Sequence, residues 1–113
     1  MSLDVYISAV RTVNVYEGNI THNLNKMAME VKLSNGHTLY DVLWRPEEHN
    51  YMKASEISPL LVEGIMILRS ERERFLPFNP PNGFGDYWGL VDFTQEYLNA
   101  CLENPDGEIR ACR

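Results

Sequence analysis

The feature that most constrains this chain is a change of hydrophobic period: apolar residues alternate with polar ones at its two ends and recur every three or four positions in between. Over 4–9, Val5, Ile7 and Ala9 share one face and Tyr6 and Ser8 the other, and Val13 and Val15 repeat that alternation before Gly18. Successive side chains of a strand point to opposite faces, so this pattern predicts two half-buried strands joined near Arg11 and Thr12. At the far end Ile109 and Ala111 alternate within 108–113 as a closing strand.

The middle is helical. Thr21 offers a capping hydroxyl, and Leu24, Met27, Ala28 and Val31 follow on one face, which predicts a first helix over 21–33. Asn35-Gly36 reads either as a hairpin turn or as a helix stop. The helix stop is favoured, because Gly36 suits the left-handed position after a helix and Thr38 with Asp41 resembles a capping box. A short second helix through Leu39, Val42 and Leu43 must end before Pro46.

Ser58-Pro59 supplies a cap and a first-turn proline for a third helix, with Ser55 as a start one turn earlier. Its buried stripe is Ile57, Leu60, Leu61, Ile65, Leu68 and Phe75, while Glu63 and the alternating charges of 69–74 face solvent. Three prolines and two glycines make 75–85 a loop, and an unusually aromatic one. From Asp86, the spacing of Leu90, Phe93, Tyr97, Leu98, Cys101 and Leu102 describes a fourth helix, stopped by Asn104, Pro105 and Gly107.

Two opening strands, about four helices and one closing strand predict an α+β fold, a small antiparallel sheet covered on one face by helices. A doubly wound parallel sheet would need strands alternating with those helices. The 113 residues, 44% of them hydrophobic, suit one domain with one core. No apolar run exceeds four residues, so no membrane span is expected, and 1–5 lack the features of a secretory signal, which points to the cytoplasm. Cys101 and Cys112 read as free thiols. The net charge of -6 argues against direct binding to nucleic acid or to an anionic membrane.

The chemistry is sparse. Gly83-Phe-Gly85-Asp-Tyr-Trp-Gly89 fails as a dinucleotide fingerprint: its third glycine is one residue late and a proline-rich loop precedes it. Those glycines instead relax the backbone so that the loop folds against the sheet, and Asp86 takes the free N–H groups of the following helix. Asn19, Thr21, His22 and Asn23 gather hydrogen-bonding groups at a helix start. They serve either as caps or as a polar pocket in which His22 is an acid, base or donor. His37 and His49 are expected to be exposed in turns, and without a diagnostic spacing among the histidines neither a metal nor any other cofactor is expected. Trp44-Arg45 offers a flat aromatic and a guanidinium, either for a partner or, equally, as core and internal clamp. Six acids and no Lys or Arg lie between Asp86 and Ile109, with Asp92, Glu96 and Glu103 on one outer helix face. That face is either a solvated surface or a dock for a basic protein.

Taken together, Asp4-Val5-Tyr6, Asn19-Ile-Thr-His-Asn-Leu24, Leu43-Trp-Arg-Pro-Glu-Glu48, Phe78-Asn-Pro-Pro-Asn-Gly-Phe-Gly85 and Tyr97-Leu-Asn-Ala-Cys101 resemble a family of small bacteriophage, prophage and bacterial proteins. The resemblance implies a phage or mobile-element setting, where small acidic proteins often bind host components, and carries over no activity. The leading expectation is a binding protein for a small polar ligand or a host protein, with Asn19, Thr21, His22, Asn23, Trp44, Arg45, Asn79, Asn82 and Tyr87 as its contact residues. Two alternatives are a small enzyme using His22 as acid or base with Arg45 steadying negative charge, and a virion structural or assembly protein.

Overall fold

A computed structural model describes residues 1–9 and 13–113. The fold is α+β. Strands β1 (Ser2–Ser8), β2 (Asn14–Thr21) and β3 (Glu108–Cys112) form one antiparallel sheet in the order β2-β1-β3. The expected turn at Arg11 and Thr12 lies outside the described residues. β2 extends through Gly18 to Thr21, further than its alternation suggests. Gly18 pairs with Val5, and Ile20, paired with Leu3, returns to the buried face.

The inner face carries Leu3, Val5 and Ile7, all fully buried, each contributing about 2 kcal/mol from removal of apolar area from water. Tyr16 on β2 stacks on Tyr97 of the last helix, their ring centroids 5.9 Å apart. The same sheet's other face bears Asp4, Tyr6, Asn19 and Arg110, whose guanidinium lies 4.8 Å from the Tyr6 ring centre. On β1 apolar side chains therefore face the helices and polar ones face outward, as the period of two requires, whereas the expected half-buried alternation of Val13 and Val15 is corrected: they are 62% and 44% exposed.

The helical layer departs from the sequence reading at several points. The first segment is a 3₁₀ turn, His22–Leu24, followed by a short helix α1 (Asn25–Met29), and does not run to Leu33. Beyond it Lys32 bridges Thr38, the Leu33 N–H donates to the His37 carbonyl, and the Leu39 N–H donates to that of Val31. Asn35-Gly36 is thus the tip of a one-bridge hairpin, so the helix-stop reading is corrected. Gly36 takes φ of 91° there, and the Asn35 side chain accepts from the His37 N–H. The Thr38–Asp41 capping box does form and starts α2 (Leu39–Trp44).

The third helix, α3 (Ala54–Ser70), begins a turn before Ser58-Pro59, at the earlier of the two expected starts, because its first donors already have partners. Ala54 and Ser55 give their N–H groups to the carbonyls of Gly107 and Pro105, and Glu56 accepts from the Met52 and Lys53 N–H groups. Those backbone bonds hold the Glu56 carboxyl below its ordinary pKa. Pro59 therefore sits inside the helix, where it cannot donate to Ser55, and the Ser58 hydroxyl reaches the Ser55 carbonyl at 3.5 Å. The helix breaks at Glu71, and a single turn, α4 (Arg72–Phe75), leads into a 3₁₀ turn, Leu76–Phe78.

Asp86 caps α5 (Tyr87–Glu103) by accepting from the Gly89 N–H at 2.8 Å. Of the stripe expected on this helix, Leu102 is instead 60% exposed, while Leu90, Phe93, Tyr97, Leu98 and Cys101 are buried. α5 packs along α3 and beneath β2, so the sheet, α3 and α5 enclose the core. Asp92, Glu96 and Glu103 are exposed. No helix among the described residues is long and apolar enough to cross a membrane.

Candidate functional site

The residues singled out as a polar pocket divide into a cleft and its supports. His22, Asn23, Asn25 and Lys26 form one wall, and Pro77, Phe78, Asn79, Pro80, Pro81 and Asn82 form the other, around a volume of about 620 Å³. The first wall exists because Thr21, extended at the end of β2, accepts from the Asn23 N–H and turns the chain sharply into the 3₁₀ turn. Leu24, Met27 and Ala28 go into the core, and their neighbours face out.

The second wall is held in place by its own asparagines. Asn79 accepts from the Tyr87 N–H at 2.8 Å and Asn82 from the Phe84 N–H at 2.9 Å. The Asn23 amide donates across the cleft to the Phe84 carbonyl at 3.3 Å. Gly85 closes the arrangement with φ of 100°, and a Cβ there would lie 2.8 Å from the Thr21 methyl. The loop can lie this close to the first wall only with glycine at that position.

Behind His22 stands Trp44, 1% exposed, whose indole N–H donates to His22 Nδ1 at 2.8 Å. An indole nitrogen can only donate, so Nδ1 is the accepting atom and the proton of the neutral ring is on Nε2. Tyr40 stacks on Trp44 at 5.5 Å and 14°. Its hydroxyl oxygen accepts from Arg45 Nε at 3.0 Å, and Glu48 pairs with the same guanidinium at 2.5 Å. The Tyr40 bond first, and then Glu48, push the Arg45 pKa up, so it remains a cation. Arg113 donates to the Trp44 carbonyl at 2.7 Å and pairs with Glu47, tying β3's end to this helix.

Of the nine expected contact residues, the structure brings His22, Asn23, Asn79 and Asn82 together in the cleft. Thr21 and Trp44 support it from behind. Asn19 is on the outer sheet face, donating to Asp4 at 2.6 Å and to Ser2 at 2.8 Å. Tyr87, expected on the surface, is 1% exposed, and its hydroxyl donates to the Leu68 carbonyl at 2.6 Å. Arg45 is engaged by Tyr40 and Glu48 and is not among the lining residues, so it does not partner His22 across the cleft. Lys26, which the sequence reading passed over, is the cation that lines it. Helical spacing offered the signal, since positions three and four after His22 share its face.

The other two histidines are not simple exposed turn residues. Their rings lie 4.3 Å apart, half-buried, beside Tyr51. His37 Nδ1 is 2.8 Å from the Tyr51 hydroxyl, which also accepts from the Asn35 amide, and His49 Nε2 is 3.4 Å from Asp41. Among the described residues no group of three or more His, Cys, Asp or Glu side chains is arranged to hold a metal ion. Cys101 and Cys112 are unbonded. Burial pushes the Cys101 thiol up to about 12.

Comparison with protein-family models, curated proteins and solved structures found no match to this chain.

Proposed function

We propose that this is a binding protein that takes a small polar ligand, or a polar segment of a host protein, in the cleft between the His22 wall and the 77–82 loop. The observation that carries this reading is the fixing of His22: a buried indole sets its tautomer and leaves an Nε2–H donor on a residue that lines a cleft with four asparagines and Lys26. The cleft's volume is that of small-molecule sites, which run to about 300 to 1,000 Å³, and favours the small ligand. The resemblance to phage and prophage proteins supports a mobile-element setting and action inside a host cell. An enzyme built on His22 draws less support, because Arg45 is bound away from the cleft.

The test is chemical-shift mapping with a panel of small polar metabolites and fragments. Shifts concentrated at His22, Asn23, Lys26, Asn79 and Asn82 are expected. Shifts confined to other surfaces, or none with any member of the panel, would overturn the reading.

A further inference from the structure

Hydrogen-bond direction in the cleft identifies the class of ligand. A backbone N–H can only donate, so the Asn79 and Asn82 atoms that accept from Tyr87 and Phe84 must be their carbonyl oxygens. Each therefore has its NH₂ group as the remaining polar end. The Trp44 indole, likewise only a donor, leaves His22 with Nε2–H. Lys26 adds an ammonium that has no ion-pair partner among the described residues. Asn23 is the exception, for its amide is spent on Phe84 and its oxygen remains, and Asn25 offers one end of each kind. No Asp or Glu lines the cleft, although the chain as a whole carries a charge of -6.

We infer that the cleft binds a small organic carboxylate, with Lys26 supplying the charge and His22 Nε2–H, Asn79 and Asn82 supplying neutral donors. This inference rests on the cleft being the binding site. One ammonium balances one carboxylate, whereas a phosphate dianion would leave excess negative charge in an acidic protein. A carboxylate also offers acceptors only, on two oxygens with about four lone-pair sites, matching a set in which donors predominate. Phe78 and the three prolines offer apolar surface for the rest of the molecule.

The experiment titrates the protein with benzoate, benzamide and phenyl phosphate, following the His22 ring and the Asn79 and Asn82 side-chain amides by NMR. Benzoate should bind most tightly. Lys26→Met should weaken it about tenfold, the size of a lost charge-assisted hydrogen bond. Asn82→Asp is the sharper variant, since one carboxylate oxygen still accepts from the Phe84 N–H while the other replaces a donor with an acceptor. It should abolish benzoate binding with an unchanged melting temperature, and Asn79→Asp should act in the same way. Benzamide binding as tightly as benzoate, or phenyl phosphate binding more tightly, would overturn the carboxylate assignment and leave the cleft standing. Failure of all three probes, with neutral panel members still shifting the cleft, would also overturn the assignment alone. Failure of every compound would overturn the cleft as a binding site.

Discussion

His22 and the His37–His49 pair differ in what satisfies them. His37 and His49 are matched by residues close in sequence: Tyr51, Asp41 and each other, around the Asn35-Gly36 hairpin tip and a 3₁₀ turn over Pro46–His49. His22 is matched on one nitrogen by an indole 22 residues away, and that indole is in the core. The first arrangement is a local polar cluster that closes on itself. The second leaves a defined donor, Nε2–H, without a partner among the described residues on a side chain that lines a cleft.

The largest expected effect separates the two regions directly. Trp44→Ala removes a buried ring and should cost about 3 to 5 kcal/mol of stability by urea unfolding. It should also release His22 from its single tautomer while the His37 and His49 signals stay near their positions. Equal disturbance of both regions would mean that they form one unit.

His22→Ala is the next in size. It leaves the buried indole N–H without its partner, and should cost about 1 to 3 kcal/mol. In a Trp44→Phe background the same change should cost less, because no N–H is left to orphan. A double-mutant cycle with no coupling would show that the Trp44–His22 bond contributes nothing to the fold. His49→Ala should cost less again, about 1 kcal/mol or below, since its pairing with Asp41 is partly open to solvent. It should leave benzoate binding untouched, and a binding defect there would extend the site beyond the cleft.

Alkali should discriminate least. Folding holds the Cys101 thiol neutral up to about 12, and the Tyr97 hydroxyl is likewise pushed up by burial. In the unfolded chain these groups ionise at their ordinary values, so the unfolded state binds fewer protons across that interval. Stability is therefore complete below the thiol's ordinary pKa and falls as pH rises from there. Both histidine regions should lose their signals together in one transition. An alkaline limb unchanged in Cys101→Ala would remove the thiol as a contributor.

How much of this was legible in the sequence follows the range of each interaction. β1 and β3 were legible because a period of two is local, but Val13 and Val15, read as the apolar alternation of β2, are 62% and 44% exposed and that strand buries Ile20 instead. β3 was expected in the sheet, and its place beside β1 was visible only in the fold. The start of α3 was visible only as the alternative at Ser55, because what decides it, the pairing of the first N–H groups with Gly107 and Pro105, lies some fifty residues on. Local chemistry at Ser58-Pro59 looked like a better cap than a partner that only the fold brings near. The hairpin at Asn35-Gly36 was visible as an alternative, but α1's early end at Met29 decided it. In the cleft, His22, Asn23, Asn79 and Asn82 were recognisable as polar groups in turns. Tyr87 was not separable from them, since burial against Leu68 leaves no trace in its neighbours, whereas Trp44 and Arg45 follow the alternative given for them, a core ring and a clamp on the Glu48 carboxylate.

The most direct test of the central claim is a two-bond proton–nitrogen correlation of histidine-labelled protein near neutral pH, recorded with and without benzoate. The account predicts that His22 is a single tautomer with its proton on Nε2 and Nδ1 unprotonated, and that benzoate moves the Nε2 signal while leaving His37 and His49 in place. A proton on Nδ1 of His22, or an Nε2 signal unmoved at saturating benzoate, would contradict it.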